Sequence, residues 1–285
     1  MPKQGEIDYI QKIGPVFAQQ ALDKPFSADV AGRYLMDIGA IMSILPQPPG
    51  RVLDIGVGTG WTSVFLALRG YTVVGQDIAP DMIALAEQNK VRYGVDNVTF
   101  VVGDFEDMPF SSEFDCALFY DALHHAVDER AAIAKAYHAL KPGGICITVE
   151  PGEGHSQDPF SQEAMRLWGV TEKDMPPHHI ITLAQEIGFK TFKVYGRRFE
   201  AELLYDSENP PAPAVAAAEA PRAPSTPAAP PPTRWQLLRR GLAAAWRGPE
   251  PAKPAPPAPA ATASPLPSSE RPIYLRASNI VLMTK

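Results

Sequence analysis

The chain has 285 residues, with 26 Lys and Arg against 32 Asp and Glu. Eighteen of its 31 prolines fall in residues 206–272, a stretch with too few large apolar groups to offset the entropy of ordering its backbone. This stretch is predicted to be a disordered insert, and the acidic remainder suits one large domain. An acidic domain argues against a nucleic-acid partner, which needs clustered Lys and Arg.

The sequence also bears on the cellular compartment. Its first ten residues lack the apolar core of a signal peptide, and no run approaches the roughly 20 apolar residues of a membrane span. A cytoplasmic protein is therefore expected. Cys116 and Cys146 fall in apolar runs and are expected to be buried, reduced thiols.

The chain begins with two helical patterns, at 5–22 and 28–44, so residues 1–50 are expected to cover the site or to pack against the sheet. From position 51, short β-rich runs alternate with longer helical ones, which indicates a parallel sheet covered on both faces. The predicted strands of this part are 51–55, 72–76, 98–102, 114–119 and 144–149. The predicted helices between them are 60–69, 80–91 and 128–140, the last followed by a stop and a turn at 141–144.

After the fifth strand, helices are predicted at 160–168 and 177–187, and strands at 189–195 and 278–284. The last two strands have no helix-sized crossover between them. They are therefore predicted to pair antiparallel as a hairpin, with the insert leaving from its tip. The fold class is α/β, and the folded domain comprises 51–205 and 273–285.

The most informative stretch is 52–60, VLDIGVGTG, which runs from a strand into a helix. Gly56, Gly58 and Gly60 let a ligand approach the backbone, and the helix N-terminus offers unpaired N–H groups. A dinucleotide-binding loop would need glycine at position 61, where this chain has Trp61. The alternative is a tight turn that binds no ligand.

Asp54, at the end of the first strand, indicates which charge the ligand carries. Its carboxylate would repel a pyrophosphate, whereas it suits a ligand that carries positive charge. S-adenosylmethionine carries a sulfonium and an ammonium group and has no phosphate, so it fits this loop.

On these residues, the stretch 52–60 resembles the first motif of class I S-adenosylmethionine-dependent methyltransferases. The resemblance implies a Rossmann-like, mostly parallel seven-stranded sheet whose last strand is antiparallel. It extends to FDCALFYDALHH at 114–125 and to LKPGG at 140–144. It implies methyl transfer from S-adenosylmethionine as the activity.

The same resemblance implies which further residues contact the cofactor. Asp77 would hold both ribose hydroxyls, with Ile78 beside it, and Asp104 would bond the adenine amino group beside Phe105. Tyr120, at the end of the fourth strand, is expected to border the cofactor. Either Asp alone could be a surface turn residue, but both are predicted at strand ends, where such sheets bind ligands.

Catalytic groups are expected after the fourth and fifth strands, because methyl transfer needs positioning and, where the acceptor loses a proton, a base. If a helical turn begins at Asp121, then Asp121, His124 and His125 lie on one side. His125 and His155 are the candidate bases, since His titrates near neutrality. The alternative is that these histidines only line the pocket or bond to backbone. No metal is predicted, because the segment supplies only part of a suitable ligand set.

The methyl acceptor is left open between small molecules and glycans. Residues 169–179 faintly resemble stretches of bacterial methyltransferases linked to glycan assembly, which makes a sugar hydroxyl the first candidate, although a plain connecting loop is an equal alternative. The motif of amino-group methyltransferases is absent at 120–123. Aminopropyl transfer, or an inactive cofactor-binding module, stays open.

The longest segment without proline in the insert is 233–248. Its Trp and Leu residues recur on one helical face and its Arg residues lie mostly elsewhere, as in basic amphipathic helices that dock on membranes or partners. Packing onto the domain and a transient helix are the alternatives. The oligomeric state is not predicted.

Overall fold

A computed structural model describes residues 3–27, 30–197 and 277–285. The predicted insert at 206–272 and its helix at 233–248 lie outside the described residues. The described part contains a seven-stranded sheet in the order β3-β2-β1-β4-β5-β7-β6. Its strands are β1 (Arg51–Ile55), β2 (Thr72–Asp77), β3 (Val98–Val102), β4 (Phe114–Tyr120), β5 (Leu140–Val149), β6 (Thr191–Tyr195) and β7 (Ile280–Thr284).

Five of the strands are parallel, as the alternation of strands and helices predicts. β1 pairs in parallel with β2 and β4, β2 pairs with β3, and β4 pairs with β5. Their carboxyl ends therefore share one edge of the sheet. The chain reverses its strand order between β1 and β4, and ligands of open α/β sheets bind at such a point.

Helices cover both faces of the sheet. They are α1 (Gln4–Ile7), α2 (Tyr9–Leu22), α3 (Ala31–Ile44), α4 (Trp61–Arg69), α5 (Pro80–Tyr93), α6 (Glu129–Ala139), α7 (Pro159–Trp168) and α8 (Pro177–Ile187). Side chains of β1 alternate between two buried clusters: Val52 belongs to one, and Leu53 and Ile55 belong to the other. This period of two explains why β1 carries apolar side chains on both faces of the sheet.

The antiparallel hairpin predicted for the last two strands is confirmed. Thr191 of β6 lies opposite Thr284 of β7, and Tyr195 lies opposite Ile280. β7 also pairs antiparallel with β5, so it lies inside the sheet and β6 forms the edge. The chain leaves β6 and enters β7 at the same end of this hairpin.

The structure differs from prediction in two segments. The helix predicted at 5–22 is divided at Asp8 into α1 and α2, and Gly14, with a φ of 78° and Pro15 after it, kinks α2. The turn predicted at 141–144 is part of β5, which begins at Leu140. The register between β4 and β5 shifts there, and Gly143 has a φ of 75°. LKPGG is thus an irregular strand start rather than a separate turn.

Two further predictions concern the cysteines and membrane-crossing helices. Both cysteines are free and buried, as expected. Within the described residues, no helix combines the length and the apolar character that crossing a membrane requires.

Candidate functional site

The glycine loop between β1 and α4 is held against β2, because Gly56 N and Val57 N donate to Gln76 O over 2.8 and 3.1 Å. Its three glycines have different roles, although all have a positive φ. A Cβ at Gly56 would lie 2.5 Å from Ala122 Cβ, and a Cβ at Gly60 would lie 2.6 Å from Phe100 Cζ. Both positions are therefore filled by protein.

Gly58 is the glycine that faces open space. A Cβ placed there would have Met82 Sδ, at 4.0 Å, as its nearest neighbour. Asp77 at the end of β2 contacts this glycine, because its Oδ2 accepts from Gly58 N at 2.8 Å and its Oδ1 accepts from Ala79 N at 2.9 Å. Ile78 is half-buried beside it. Burial raises the pKa of Asp77, and the backbone N–H groups oppose that rise.

Asp54 lies beneath the first turn of α4 and is 1% exposed. Its Oδ2 accepts from the hydroxyls of Thr62 and Ser63, both at 2.6 Å. Burial raises the pKa of Asp54 to about 6 although both hydroxyls act to lower it. Its contact with a positively charged ligand stays a prediction.

Asp104 follows β3 and is bridged to the N-terminal segment. Its Oδ1 accepts from Glu106 N at 2.9 Å, and Lys3 Nζ contacts both its Oδ2 and Glu106, the latter at 2.8 Å. The ring of Phe105 packs edge-on against Phe119, with 6.2 Å between centroids. The residues predicted to hold adenine thus lie where the N-terminus closes over the sheet edge.

Tyr120, another predicted cofactor contact, belongs to a buried polar network. Its hydroxyl donates to Asp37 Oδ2 at 2.8 Å, and Asp37 forms a buried ion pair with Arg197 through contacts of 2.5 and 3.0 Å. Burial and the Asp37 charge raise the pKa of Tyr120. Its ring lies 5.4 Å from that of Trp61. Trp61, at the position where a dinucleotide loop has glycine, therefore helps to fix Tyr120.

The turn after β4 is organised by Glu150 at the end of β5. Glu150 Oε1 accepts from Leu123 N at 2.9 Å and from Ala122 N at 3.2 Å, and its Oε2 lies 2.8 Å from His124 Nδ1. Both side chains are buried. Burial by itself would lower the pKa of His124, but the bond to Glu150 and the surrounding carboxylates raise it to about 9.

His125 stands beside His124, with 3.9 Å between ring centroids. Its Nδ1 lies 2.6 Å from the carbonyl oxygen of Thr171. Because a carbonyl only accepts, Nδ1 carries the hydrogen, and Nε2 offers a lone pair in the neutral ring. Burial and the neighbouring charge of His124 lower the pKa of His125 to about 4.

Glu172 joins the histidines from the segment after α7. Its Oε2 lies 2.7 Å from His155 Nε2 and 3.5 Å from His124 Nε2. Burial would raise the pKa of Glu172, but the bond to His155 and the charges of the other histidines lower it. One ligand atom each from His124, His125 and Glu172 lie within 4.8 Å of one another. Together with His155, these residues form what we call the histidine cluster: His124, His125, His155 and Glu172.

The N-terminal segment covers this cluster. Glu6 Oε1 accepts from Thr171 N at 2.6 Å and lies 3.7 Å from His125 Nδ1. Burial raises the pKa of Glu6 to about 7. Gly5 packs on Gly169 so closely that a Cβ would lie 1.9 Å from Gly169 O. Glycine is thus needed at position 5 for α1 to reach the cluster.

The structure brings together the three predicted catalytic residues. Asp121 has a φ of 55° and lies close enough to the cluster for the charge of His124 to act on its carboxylate. Desolvation would raise the pKa of Asp121, but charges including those of His124 and Lys24 lower it. Sequence reasoning missed Glu6 and Glu172 and assigned no role to Glu150. No local pattern marks Glu6 or Glu172, because only the tertiary fold brings them to the histidines.

The chain matches known methyltransferases. Residues 52–144 match a family model described as a methyltransferase domain. A demethylmenaquinone methyltransferase from Clavibacter sepedonicus is 30% identical over 122 residues, which cover 42% of this chain and 49% of that protein. The 24-methylenesterol C-methyltransferase 2 of Oryza sativa subsp. japonica is 30% identical over 165 residues, covering 54% and 45%. The chain spans about half the length of these curated relatives.

A solved structure gives the same result for the fold. Phosphoethanolamine N-methyltransferase 2 from Haemonchus contortus, in complex with phosphomonomethylethanolamine and S-adenosylhomocysteine, superposes with a TM-score of 0.50 at 26% identity. The match covers 57% of this chain and 38% of that one.

Proposed function

We propose that this chain, which carries a class I S-adenosylmethionine-dependent methyltransferase domain, transfers the methyl group of S-adenosylmethionine to a small molecule. The observation that supports this most is the contact between the glycine loop and the turn after β4. Gly56 packs directly on Ala122, and His125 lies three residues beyond Ala122. A cofactor on the loop would therefore be next to the histidine cluster.

The described residues fit the cofactor. The cofactor would lie in the open space at Gly58, against the backbone of the loop. Asp77 contacts Gly58 and would accept hydrogen bonds from the ribose hydroxyls. Asp104, with Phe105 and Ile78 nearby, would bind the adenine end. When bound, S-adenosylmethionine supplies a methyl group that its sulfonium already activates. The protein's share is then to position the acceptor and, where necessary, to remove its proton.

On the acceptor side, we propose a hydroxyl-bearing molecule bound at the histidine cluster. A hydroxyl that becomes a methyl ether must lose its proton. The cluster offers imidazole and carboxylate groups at the same edge of the sheet as the glycine loop. His125, His155 and Asp121 are the proposed catalytic residues. A sugar hydroxyl stays the first candidate, and the contacts of Thr171 and Glu172 with the cluster support a role of residues 169–179 in binding the acceptor.

The relatives support a small molecule over a macromolecule. Two are named for demethylmenaquinone and 24-methylenesterol, and the solved neighbour holds phosphomonomethylethanolamine. These acceptors differ in chemistry, so they favour the substrate class only.

The test is calorimetry with S-adenosylmethionine and S-adenosylhomocysteine, followed by incubation of a cell extract with methyl-labelled cofactor. We expect binding of both compounds and label in a small-molecule or glycan fraction. Absence of binding to either compound would refute the proposal. Binding of the cofactor without any labelled product in any fraction would favour an inactive cofactor-binding module.

A further inference from the structure

We infer that His124, His125 and Glu172 form a binding site for one divalent transition-metal ion. The spacing of the two histidines alone supplies only part of a ligand set. Glu172 adds the missing carboxylate, which comes from a segment 47 residues after His125. The three residues together provide two imidazoles and one carboxylate, a ligand set found in zinc and non-haem iron sites.

The distances suit such an ion. Zinc is bound by His nitrogen and carboxylate oxygen at about 2.0–2.2 Å, so two ligands at a tetrahedral angle lie about 3.4 Å apart. His124 Nε2 and Glu172 Oε2 are 3.5 Å apart. One ligand atom of each of the three residues lies within 4.8 Å of the other two, and the His125 ring would shift toward the ion to complete the set.

The surroundings of both histidines support the assignment independently. A metal-binding His almost always donates its other ring N–H to a carboxylate or a backbone carbonyl. His124 Nδ1 has Glu150 at 2.8 Å, and His125 Nδ1 has Thr171 O at 2.6 Å. Each ring therefore has Nε2 left for an ion, which at His124 would take the place of a proton. Glu150 is itself fixed by backbone N–H groups of the turn, so the His124 ring is held in place.

The ligand set also indicates which ion would bind. Imidazole nitrogen favours zinc, iron or nickel over magnesium and calcium, which prefer oxygen ligands. His155, at 2.7 Å from Glu172 Oε2, would support that carboxylate or act as a fourth ligand. With the ion bound, His125 would be a ligand rather than a base, and an ion with an open coordination position would polarise an acceptor hydroxyl. This last role rests on the proposed function, whereas binding of the ion does not.

The experiment uses the full chain without a polyhistidine tag, stripped with a chelator and dialysed. Calorimetry and elemental analysis then measure binding of Zn²⁺ and Ni²⁺, with Mg²⁺ as the comparison ion. We expect about one equivalent of Zn²⁺ or Ni²⁺ and no uptake of Mg²⁺. Glu172→Gln and His125→Asn should each weaken binding by at least tenfold. Glu150→Gln should weaken it by about 10-fold to 100-fold, as expected for a residue that orients a ligand.

His138→Asn, on α6 outside the cluster, is the matched control and should bind the ion as the unaltered chain does. Uptake of neither ion, or equal uptake by the His125→Asn variant and the unaltered chain, would overturn the inference. Circular dichroism checks that each variant is folded. Binding of S-adenosylhomocysteine is measured on the same stripped samples, so a failure of the proposed function would appear there and a failure of the metal site would not.

Discussion

Single Gly→Ala substitutions in the glycine loop can distinguish an effect on cofactor binding from an effect on core packing. Gly58→Ala places a Cβ in open space, 4.0 Å from the nearest atom, Met82 Sδ. Because Gly58 has a φ of 51°, the new side chain costs roughly 1–2 kcal/mol of stability. In a domain of this size that lowers Tm by about 2–8 °C. Cofactor affinity should fall by at least tenfold, since the methyl group occupies the space the cofactor needs.

Gly60→Ala should lower stability more, and cofactor affinity less, than Gly58→Ala does. Its Cβ would lie 2.6 Å from Phe100 Cζ and 2.8 Å from Ala86 Cβ, inside the core. Overpacking adds typically 1–3 kcal/mol to a similar backbone cost, so Tm should fall further than in Gly58→Ala. The added methyl group points away from the open space at Gly58, and the folded fraction should therefore retain more affinity for the cofactor.

Thermal denaturation and calorimetry with S-adenosylhomocysteine check both variants. Gly58→Val, with a larger branched side chain, should abolish binding. The reasoning is refuted if Gly58→Ala binds S-adenosylhomocysteine as tightly as the unaltered chain does, because the space at Gly58 would then not receive the cofactor.

Four further predictions address other parts of the molecule. Asp77→Ala should leave the fold intact and weaken cofactor binding by about 10-fold to 100-fold in calorimetry, from lost charge-assisted bonds of roughly 1.5–3 kcal/mol; unchanged affinity would exclude the ribose contact. His125→Ala and His155→Ala should each lower turnover by about 10²-fold to 10⁴-fold without changing cofactor affinity, and turnover within about threefold in both would leave positioning as the mechanism. The pKa of Asp54 is raised to about 6, which means that the folded chain holds the carboxyl proton more tightly than the unfolded chain does. The free energy of unfolding should therefore fall as pH rises from about 4 to about 6. In a pH series of melting curves, the Asp54→Asn variant should lack that fall. Deleting residues 207–270 and joining the flanks should leave a folded domain that binds the cofactor and, if the segment at 233–248 docks on membranes, no longer sediments with anionic vesicles.

Most of the sheet could be predicted from the sequence because its strands are short, strongly apolar and separated by glycines or helices. The start of β5 could not be. Lys141-Pro142-Gly143-Gly144 has the composition of a turn, but the pairing of Leu140 with Phe114 draws it into the sheet. Tertiary pairing there outweighs local preference.

The candidate site divides in the same way. Asp77 and the glycines follow predicted strands directly, so their placement at one sheet edge needs only the parallel order of the strands. Glu6 and Glu172 reach the cluster through α1 and through the segment after α7. Their positions depend on how these parts pack, for example on the contact between Gly5 and Gly169, and no local pattern encodes such a contact.

Glu150 is the residue that the sequence could have revealed. Neighbouring parallel strands that end together place the residues after them side by side, and Tyr120 of β4 lies opposite Val149 of β5. The next residues, Asp121 and Glu150, must therefore emerge at the same point of the edge. An apolar strand that ends in a carboxylate, beside a turn with two histidines, predicts a buried ion pair once the register is counted. That pair, between Glu150 and His124, fixes the turn on which His125 stands.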